Sequence, residues 1–404
     1  MSSRPLTLLA IASYEKGHAF LRQAKASGCR VILVTSESLK ETAHWPREAL
    51  DEIYYLPDVQ KKWDRATTLN AIAYLARHER IDRLVPLDDF DLEMAAYLRE
   101  HLRIPGMGET TTRYFRDKLA MRMKAKTAGL TIPEFVHVLN HDDIREFVAR
   151  VPAPWVLKPR FLAGAIGIKR VQDADELWSL IHALGDEQSN YLIERFVAGD
   201  ICHVDSIVYE NEILFAIASR YGKPPLEVSQ GGGIFTTRTL ERGSPVEQGL
   251  LAKNRQVLAG LGLKRGVSHT EFILSEADGR VYFLETSARV GGAHIAELVE
   301  AASGLNLWAE WAKLEIAGGD ATYQPPVAQS GYAGLLVSLA KQEWPDTAAY
   351  HDAEIVWRMT KRHHVGLIVR SPRYDRVTEL LDNYGRRFHD DFSATLPPRE
   401  NALD

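Results

Sequence analysis

The first hundred residues alternate between short runs of consecutive apolar residues and longer stretches with helical spacing. Apolar runs of this length predict buried strands, and the spacing between them predicts helices. The predicted elements are a strand at 6–12, a helix at 17–27, strands at 30–35 and 84–86, and a helix at 92–102. Strands alternating with helices predict a parallel sheet, so we expect an α/β domain at residues 1–108.

The pattern changes in the remainder of the chain. A helix is predicted at about 113–128, and short strands with glycine-containing turns then run from about 155 to 284, interrupted by helices at 174–184 and 246–262. This mixture is typical of an α+β region. Gln324-Pro325-Pro326 resembles a linker, and a few strands and a helix follow it. We therefore expect a second domain at 109–323 and a C-terminal subdomain at 324–404.

Composition excludes several classes of protein. The 404 residues are 45% hydrophobic and 25% charged, with a formal net charge of −5, which is ordinary for a folded globular protein. This charge balance gives no basic field for nucleic acid. Cys29 and Cys202 lie far apart and outside any CxxC pattern, so neither a disulfide framework nor a zinc site is predicted.

The apolar stretches of the chain do not predict a targeting or membrane-spanning segment. The apolar stretch from Leu6 to Ile11 is too short for the core of a signal peptide, and no small-residue cleavage pattern follows it. No stretch approaches 18 consecutive apolar residues. We expect a cytoplasmic protein without a membrane partner.

Two glutamates mark a candidate metal site. Residues 268–274 and 280–285 read as two strands joined by a tight turn at Ala277-Asp278-Gly279, which predicts a β-hairpin. With Asp278 at its centre, Glu271 and Glu285 face each other on one side of the hairpin. Opposed carboxylates repel unless a cation lies between them, and a magnesium ion meets that requirement. The alternative is a solvated face with the register shifted by one residue.

A candidate anion site follows directly. Gly291-Gly292 opens a predicted helix, where backbone N–H groups and the helix dipole favour a negative group. Arg289 can add a bidentate contact to a carboxylate or phosphate. The alternative is a structural turn beside a surface arginine.

Two lysines and two acidic residues are further candidates. Lys158 ends an apolar strand, and the loop 163–167, which includes Gly164, could approach phosphates closely. Lys118 lies on a predicted helix, where a lone lysine is usually solvated. The backbone from Glu194 to Val197 could bind an adenine edge, and Asp200 could accept from ribose hydroxyls.

Together these segments resemble the ATP-grasp enzymes across nearly the whole chain. The ordered motifs are RDKLAMRMKAKTAGLTIPEF, WVLKP with its small-residue loop, LIERFVAGDICHVD, GVSHTEFIL and VYFLETSARVGGAH. The resemblance implies an N-terminal α/β domain before the ATP-grasp domain, a lid-like central subdomain at about 130–197 and a C-terminal subdomain, with ATP held between the last two. It implies ATP with Mg²⁺, or Mn²⁺, as cofactors. The roles it implies are phosphate contacts for Lys118, Lys158 and Gly164, adenine contacts for Glu194 and Val197, ribose contacts for Asp200, metal binding by Glu271 and Glu285, and substrate carboxylate or acyl phosphate binding by Arg289.

Within this superfamily, HTE…ETSARVGGAH is most similar to amino-acid ligases, which form an acyl phosphate that an amine attacks. The chain lacks the Gln-Val-Glu-His run that biotin carboxylases carry after the arginine. Ser287 stands where many relatives have an asparagine as a third metal ligand, so the resemblance makes Ser287 the expected third ligand here. Ala165-Ile166 replaces a common Gly-Ser step. The expected substrates are a small carboxylate and an amine, and a homodimer is a family-level expectation.

Some roles and functions stay open from sequence. His269 could act as a base toward the amine or could hold a neighbouring group by a hydrogen bond. Ser229–Gly233, with Arg238 beyond it, could be a mobile cover or a hairpin tip. A nicotinamide oxidoreductase is rejected because 12–17 lacks GxGxxG spacing. A carboxylate–thiol ligase and a nucleotide-binding module without turnover remain alternatives.

Overall fold

The computed structural model describes residues 4–319 and 323–394. Three sheets organise this part of the chain: a four-stranded sheet at the N-terminus, a small four-stranded sheet, and an eight-stranded central sheet. This mixture of a parallel sheet with antiparallel sheets confirms the predicted fold class. No helix among the described residues is long and apolar enough to cross a membrane.

The N-terminal sheet is parallel, with the strand order β3-β2-β1-β4. Its strands are β1 (Thr7–Ala12), β2 (Arg30–Ser36), β3 (Glu52–Leu56) and β4 (Arg83–Pro86), and its helices are α1 (His18–Ala26), α2 (Arg65–Leu75) and α3 (Leu92–Leu102). Strands β1 and β2 are almost wholly buried, as expected for a parallel sheet covered on both faces. β3 and α2 were not predicted. β3 is an edge strand with only Leu56 fully buried, so it lacks a continuous apolar run.

The helix predicted at 113–128 is wrong as a single element. The chain forms α4 (Glu109–Arg113) and then α5 (Lys118–Thr127). Asp117 separates them by capping α5, because its carboxylate accepts from the backbone N–H of Leu119 at 3.0 Å. Asp117 is held in place by Arg160, whose Nε lies 2.9 Å from Oδ1. The break therefore depends on a contact 43 residues away in sequence.

The small sheet has the strand order β5-β8-β6-β7 and is antiparallel. Its strands are β5 (Phe135–His137), β6 (Trp155–Pro159), β7 (Lys169–Val171) and β8 (Tyr191–Arg195), and its helices are α6 (His141–Arg150) and α7 (Ala174–Ala183). The two helices pack against one face of the sheet, where Leu157, Leu177 and Ile193 are buried in one cluster. The opposite face carries Lys158 and Glu194 toward the central sheet.

The central sheet is antiparallel and runs β13-β12-β9-β10-β11-β14-β16-β15. Its strands are β9 (Gly199–Tyr209), β10 (Glu212–Tyr221), β11 (Phe235–Thr239), β12 (Gly266–Ser275), β13 (Val281–Ser287), β14 (Tyr332–Leu339), β15 (Ile355–Arg358) and β16 (His364–Ser371). Its helices are α8 (Pro225–Gly231), α9 (Pro245–Leu261), α10 (Ile295–Ser303), α11 (Leu307–Ala317) and α12 (Tyr374–Phe392). α11 also packs against α1, joining this unit to the N-terminal sheet.

Two sequence predictions concern segments of this region. The backbone of Ser229–Gly231 belongs to α8, so it is not a hairpin tip, and the side chains of these three residues lie outside the described part of the structure. β14, β15 and β16 follow the Gln324-Pro325-Pro326 segment and continue the central sheet. The domain boundaries at 108 and 323 stay a prediction.

Candidate active site

A cavity of about 720 Å³ lies between the small sheet and the central sheet. Charged side chains from all three sheets or their loops line it. They are Asp89 after β4, Lys118 on α5, Lys158 on β6, Glu194 on β8, Glu271 on β12, Glu285 on β13, and Arg289 beyond β13. The fold thus brings together most of the residues selected from the sequence.

The two glutamates of the hairpin oppose each other as predicted, since Glu271 pairs with Glu285. The register depends on a bulge. Nearer the turn, Phe272 pairs with Phe283, so Leu284 is an extra residue on β13. A hairpin without this bulge would place Glu271 opposite Leu284, on the wrong face for a shared cation.

The partners of the two carboxylates differ. Oε1 of Glu271 accepts a hydrogen bond from the Tyr221 hydroxyl at 2.7 Å and lies 3.4 Å from Nε2 of His269. Burial alone would raise the pKa of Glu271, but the hydrogen bonds from His269 and Tyr221 hold it below its ordinary value. Glu285 is more exposed, and its Oε2 lies 3.5 Å from Nζ of Lys118. Glu271 is therefore held as a carboxylate.

A buried ion-pair cluster lies on the wall of the cavity that the small sheet forms, across from Glu271 and Glu285. Nζ of Lys158 lies 2.7 Å from Oε2 of Glu194, and Nε of Arg122 lies 2.6 Å from Oε1 of the same carboxylate. Burial lowers the pKa of Lys158 to about 8, because the loss of water and the charge on Arg122 outweigh the attraction of Glu194. The Glu194 carboxylate is therefore fully engaged by two cations.

Lys118 closes the same wall from α5. Its ammonium group donates to the carbonyl of Leu162 at 2.6 Å, just before the loop 163–167. In that loop Gly164 and Ala165 both have positive φ angles, 68° and 64°. Left-handed backbone is natural for glycine and costly for alanine, so the loop is a tight turn over the cavity.

Val197, between β8 and β9, and Asp200, near the start of β9, both line the cavity. Val197 is buried against the apolar core. Asp200 is partly exposed, and its Oδ1 lies 2.6 Å from an Arg220 guanidinium nitrogen. A ligand hydroxyl reaching Asp200 would share that carboxylate with Arg220.

Ser287 is not directed toward the opposed glutamates. Its hydroxyl donates a short hydrogen bond to Oδ1 of Asp89, a buried residue that follows β4. Nε of Arg289 lies 3.6 Å from the same oxygen, and Arg116 lies 3.4 Å from Oδ2. Burial would raise the pKa of Asp89, but the two arginines hold it below its ordinary value. The N-terminal sheet therefore contributes an anchor for Arg289 and Ser287.

A buried hydrogen-bonded cluster of Asp205, His203 and His269 contacts Glu271 through His269. Asp205 accepts from Nδ1 of His203 and from Nδ1 of His269, each at 2.8 Å. His203 also bonds Thr237 at 2.8 Å. Burial would lower the pKa of His269, but Asp205 and Glu271 raise it to about 9. Both ring nitrogens of His269 thus face carboxylates.

Gly291 packs directly onto this group, which leads to a prediction with a neighbouring control. A Cβ at Gly291 would lie 3.0 Å from both Asp205 Oδ1 and His269 Nδ1, and 2.9 Å from Ile295, whereas a Cβ at Gly292 would meet nothing within 4 Å. We expect Gly291→Ala to destabilise the protein by about 1–3 kcal/mol in urea unfolding, as overpacking does elsewhere. Gly292→Ala should be close to neutral, and equal losses in both variants would contradict this packing.

Sequence reasoning missed Asp89, Asp205 and Arg122. Asp89 carried a usable signal, because polar residues directly after a buried parallel strand lie at the edge where such sheets bind ligands. Asp205 lies within the long strand β9, and Arg122 lies on α5. Neither position differs in sequence from an ordinary solvated residue.

Comparisons with known proteins agree with this arrangement. No model of a known protein family matches the chain. The L-arginine-specific L-amino acid ligase of Bacillus subtilis is 25% identical over 273 residues, which cover 66% of this chain and 63% of the ligase. The chain therefore matches less than two thirds of that relative's own length.

Two solved structures share the fold. An L-amino acid ligase from Bacillus licheniformis superposes with a TM-score of 0.77 at 16% identity, covering 97% of this chain and 99% of the other. The biotin carboxylase domain dimer of Hydrogenobacter thermophilus 2-oxoglutarate carboxylase, in complex with MgADP, gives 0.69 at 15% identity, covering 96% and 90%. The chain therefore shares the fold of these two enzymes and resembles the ATP-grasp carboxylate–amine ligases.

Proposed function

We propose that the protein is an ADP-forming ligase that uses magnesium and ATP to activate a carboxylic acid, and then joins it to an amine. The observation that carries the proposal is the pair Glu271 and Glu285, opposed across one cavity from the cations Lys118 and Lys158. Carboxylates that bind a metal and lysines that bind phosphates are the parts that phosphoryl transfer needs. An amino acid is the proposed carboxylate, by analogy with the L-amino acid ligases.

The nucleotide would bind between the small sheet and the central sheet. In this proposal the backbone from Glu194 to Val197 receives the adenine, and Asp200 receives the ribose hydroxyls. The phosphates lie near Gly164, Lys118 and Lys158. Nζ of Lys118 lies 3.5 Å from Oε2 of Glu285, so phosphate oxygens bound by Lys118 would lie beside the metal site.

The carboxylates fit magnesium by their chemistry, because Mg²⁺ prefers one or two carboxylate oxygens together with phosphate oxygens. When bound, the ion would neutralise charge on the transferring phosphoryl group. Ser287 does not fit as a third ligand, since its hydroxyl is donated to Asp89. We therefore assign the protein's metal contacts to Glu271 and Glu285, and assign Ser287 to the anchoring of Arg289 through Asp89.

Arg289 would bind the substrate carboxylate and steady the acyl phosphate. Its guanidinium group lines the cavity beside Asp89 and is held there by the backbone carbonyl of Val290 at 2.8 Å. For His269 we favour the positioning role over the base. Both of its ring nitrogens face carboxylates, so the ring orients Glu271 and has no free lone pair for an incoming amine.

The Lys158 environment predicts how nucleotide affinity depends on pH. With a pKa of about 8 in the free protein, Lys158 loses its charge as the pH rises through that value. We expect the Kd for an ATP analogue to increase between pH 7 and 9 in a fluorescence titration. Lys158→Arg keeps its charge throughout and should remove the trend. An equal trend in that variant would assign it to another group.

The direct test is release of ADP and phosphate by purified protein with magnesium-ATP. Amino acids are supplied singly and in pairs, and Glu285→Ala is the control. We expect release that requires an amino-acid pair and disappears in the variant. Release with single acids plus a thiol would instead support a carboxylate–thiol ligase. ATP binding without release in any combination would contradict the ligase and indicate a binding module.

Two further features belong to the proposal. A homodimer is suggested by the biotin carboxylase domain dimer among the similar structures, and sedimentation of the purified protein tests it. A reaction that consumes ATP and joins small metabolites fits a cytoplasmic protein, which fractionation of the source cells would test.

A further inference from the structure

A second cavity of about 400 Å³ lies behind the candidate active site, between the N-terminal sheet and the central sheet. Its lining is rich in basic residues: Arg83 on β4, Arg99 on α3, and Lys264 and Arg265 in the loop before β12. Opposed to these is the carboxylate of Glu315, which accepts from the indole of Trp311 at 3.0 Å. Within the lining, positive charge therefore exceeds negative charge.

The two arginines of the inner wall carry charge without an ion-pair partner. Arg99 is buried, and its guanidinium donates to the backbone carbonyls of Leu84 at 2.8 Å and Met107 at 3.3 Å. Arg83 likewise donates to the carbonyls of Glu315 and Asp82. In the part of the chain that the structure describes, neither forms an ion pair with a carboxylate. A buried guanidinium stays protonated and is costly without a compensating negative group.

The outer wall differs, because its charges are already paired. Lys264 lies 3.2 Å from Glu210, and Arg265 forms a short ion pair with the same carboxylate. The charge that no ion pair among the described residues offsets is thus that of Arg83, which is half-buried, and of Arg99, which is buried. A ligand that offsets it has to carry its negative group inward.

We infer that this cavity binds a small anion through Arg83 and Arg99, with a carboxylate or phosphate group as the recognised chemistry. Two guanidinium groups suit either one, because each can make paired N–H···O contacts to a planar or tetrahedral oxyanion. The cavity shares walls with the active site. Ala288 lines it while Ser287 and Arg289 line the other cavity, and Leu92 lines it while Asp89 faces the other side. A bound anion would therefore touch the back of the segments that hold Arg289.

Thr111 offers a test that leaves the arginines in place. This residue lines the cavity, and its side chain makes no hydrogen bond with other described residues. Thr111→Glu adds a negative charge beside the proposed anion, and Thr111→Gln adds the same bulk without charge. Neither change removes a bond made by Arg83 or Arg99, so loss of folding is not the expected outcome.

The measurement is calorimetric titration of inorganic phosphate, and separately of succinate, into protein preloaded with magnesium and a non-hydrolysable ATP analogue. The analogue occupies the nucleotide part of the main cavity, and the Thr111 variants separate binding in the second cavity from binding at Arg289. We expect at least one anion to bind the wild type, with Kd about tenfold weaker in Thr111→Glu and little changed in Thr111→Gln. If only one of the two anions binds, that anion identifies whether the cavity prefers a phosphate or a carboxylate group.

Two results would overturn the inference. One is that neither anion binds the preloaded wild type, and the other is that both Thr111 variants bind as the wild type does. Arg99→Met adds a second check, because it should abolish binding while Arg386→Met, an exposed arginine on α12, should not. The titration needs no turnover, so it stands even if the proposed ligase activity fails.

Discussion

Replacing Glu285 with glutamine is expected to lower the rate of ADP formation by about 10²–10³-fold, the size of loss seen when one preorganised charge contact is removed from a transition state. The substitution keeps the side-chain volume and removes the negative charge that faces Glu271. A cation held by both carboxylates would then be held by one. Steady-state kinetics with saturating ATP measures the change, and a higher magnesium concentration should restore part of the rate.

Glu146→Gln is the matched control, because Glu146 is an exposed residue of α6 and undergoes the same change of charge. It should leave the rate within about twofold, as surface substitutions usually change stability and packing little. If Glu285→Gln retains full activity at low magnesium, the metal assignment fails. A loss that magnesium does not relieve would instead point to a contact between Glu285 and Lys118.

The second large effect is expected on stability, at Arg122. Its side chain is fully buried, and it joins Glu194 at 2.6 Å while donating to the backbone carbonyl of Leu284. Removing one partner of a buried pair typically costs about 3–5 kcal/mol, because the other charge stays buried. We expect Arg122→Met to reduce the free energy of unfolding by that amount in urea denaturation.

Lys126→Met, at an exposed position of the same helix, controls for the loss of a cation and should be almost neutral. The Arg122 variant should also weaken nucleotide binding, since Lys158 would then be the remaining cation bound to Glu194. A stable Arg122→Met protein would show that Lys158 alone compensates Glu194.

The opposed glutamates show what a sequence can predict about a site. Alternation of apolar and polar residues and the Asp278-Gly279 turn were sufficient to place Glu271 opposite Glu285. The bulge at Leu284 was not foreseen, although the pairing depends on it. The residue count between the glutamates already contains the extra residue, so the assumption of a symmetric turn at Asp278 reached the correct register.

Long-range contacts explain the rest. Ser287 was expected to bind metal, but Asp89 arrives from 198 positions earlier in the chain and takes its hydroxyl. Asp117 similarly begins α5 inside the predicted helix, and Arg160 holds it in place. Contacts of this kind depend on how separate sheets pack, and periodicity along one segment carries no information about them.

The helices and strands differ in how well the sequence predicted them. The helix at Leu92–Leu102 and the strands near residues 7–12 and 30–36 were predicted closely, because buried faces give strong periodic patterns. The edge strand Glu52–Leu56 was missed because only one of its five residues is buried. An element could be predicted from the sequence when it is largely buried, because burial produces a clear pattern of apolar residues.

Activation of a carboxylate as an acyl phosphate is the central claim, and transfer of an oxygen isotope tests it most directly. Amino-acid pairs that support ADP release are supplied with ¹⁸O in the carboxylate of the acyl donor, and the released phosphate is analysed by mass spectrometry. An acyl phosphate intermediate predicts one ¹⁸O atom per phosphate released. Phosphate without ¹⁸O, or release of AMP in place of ADP, would contradict the account.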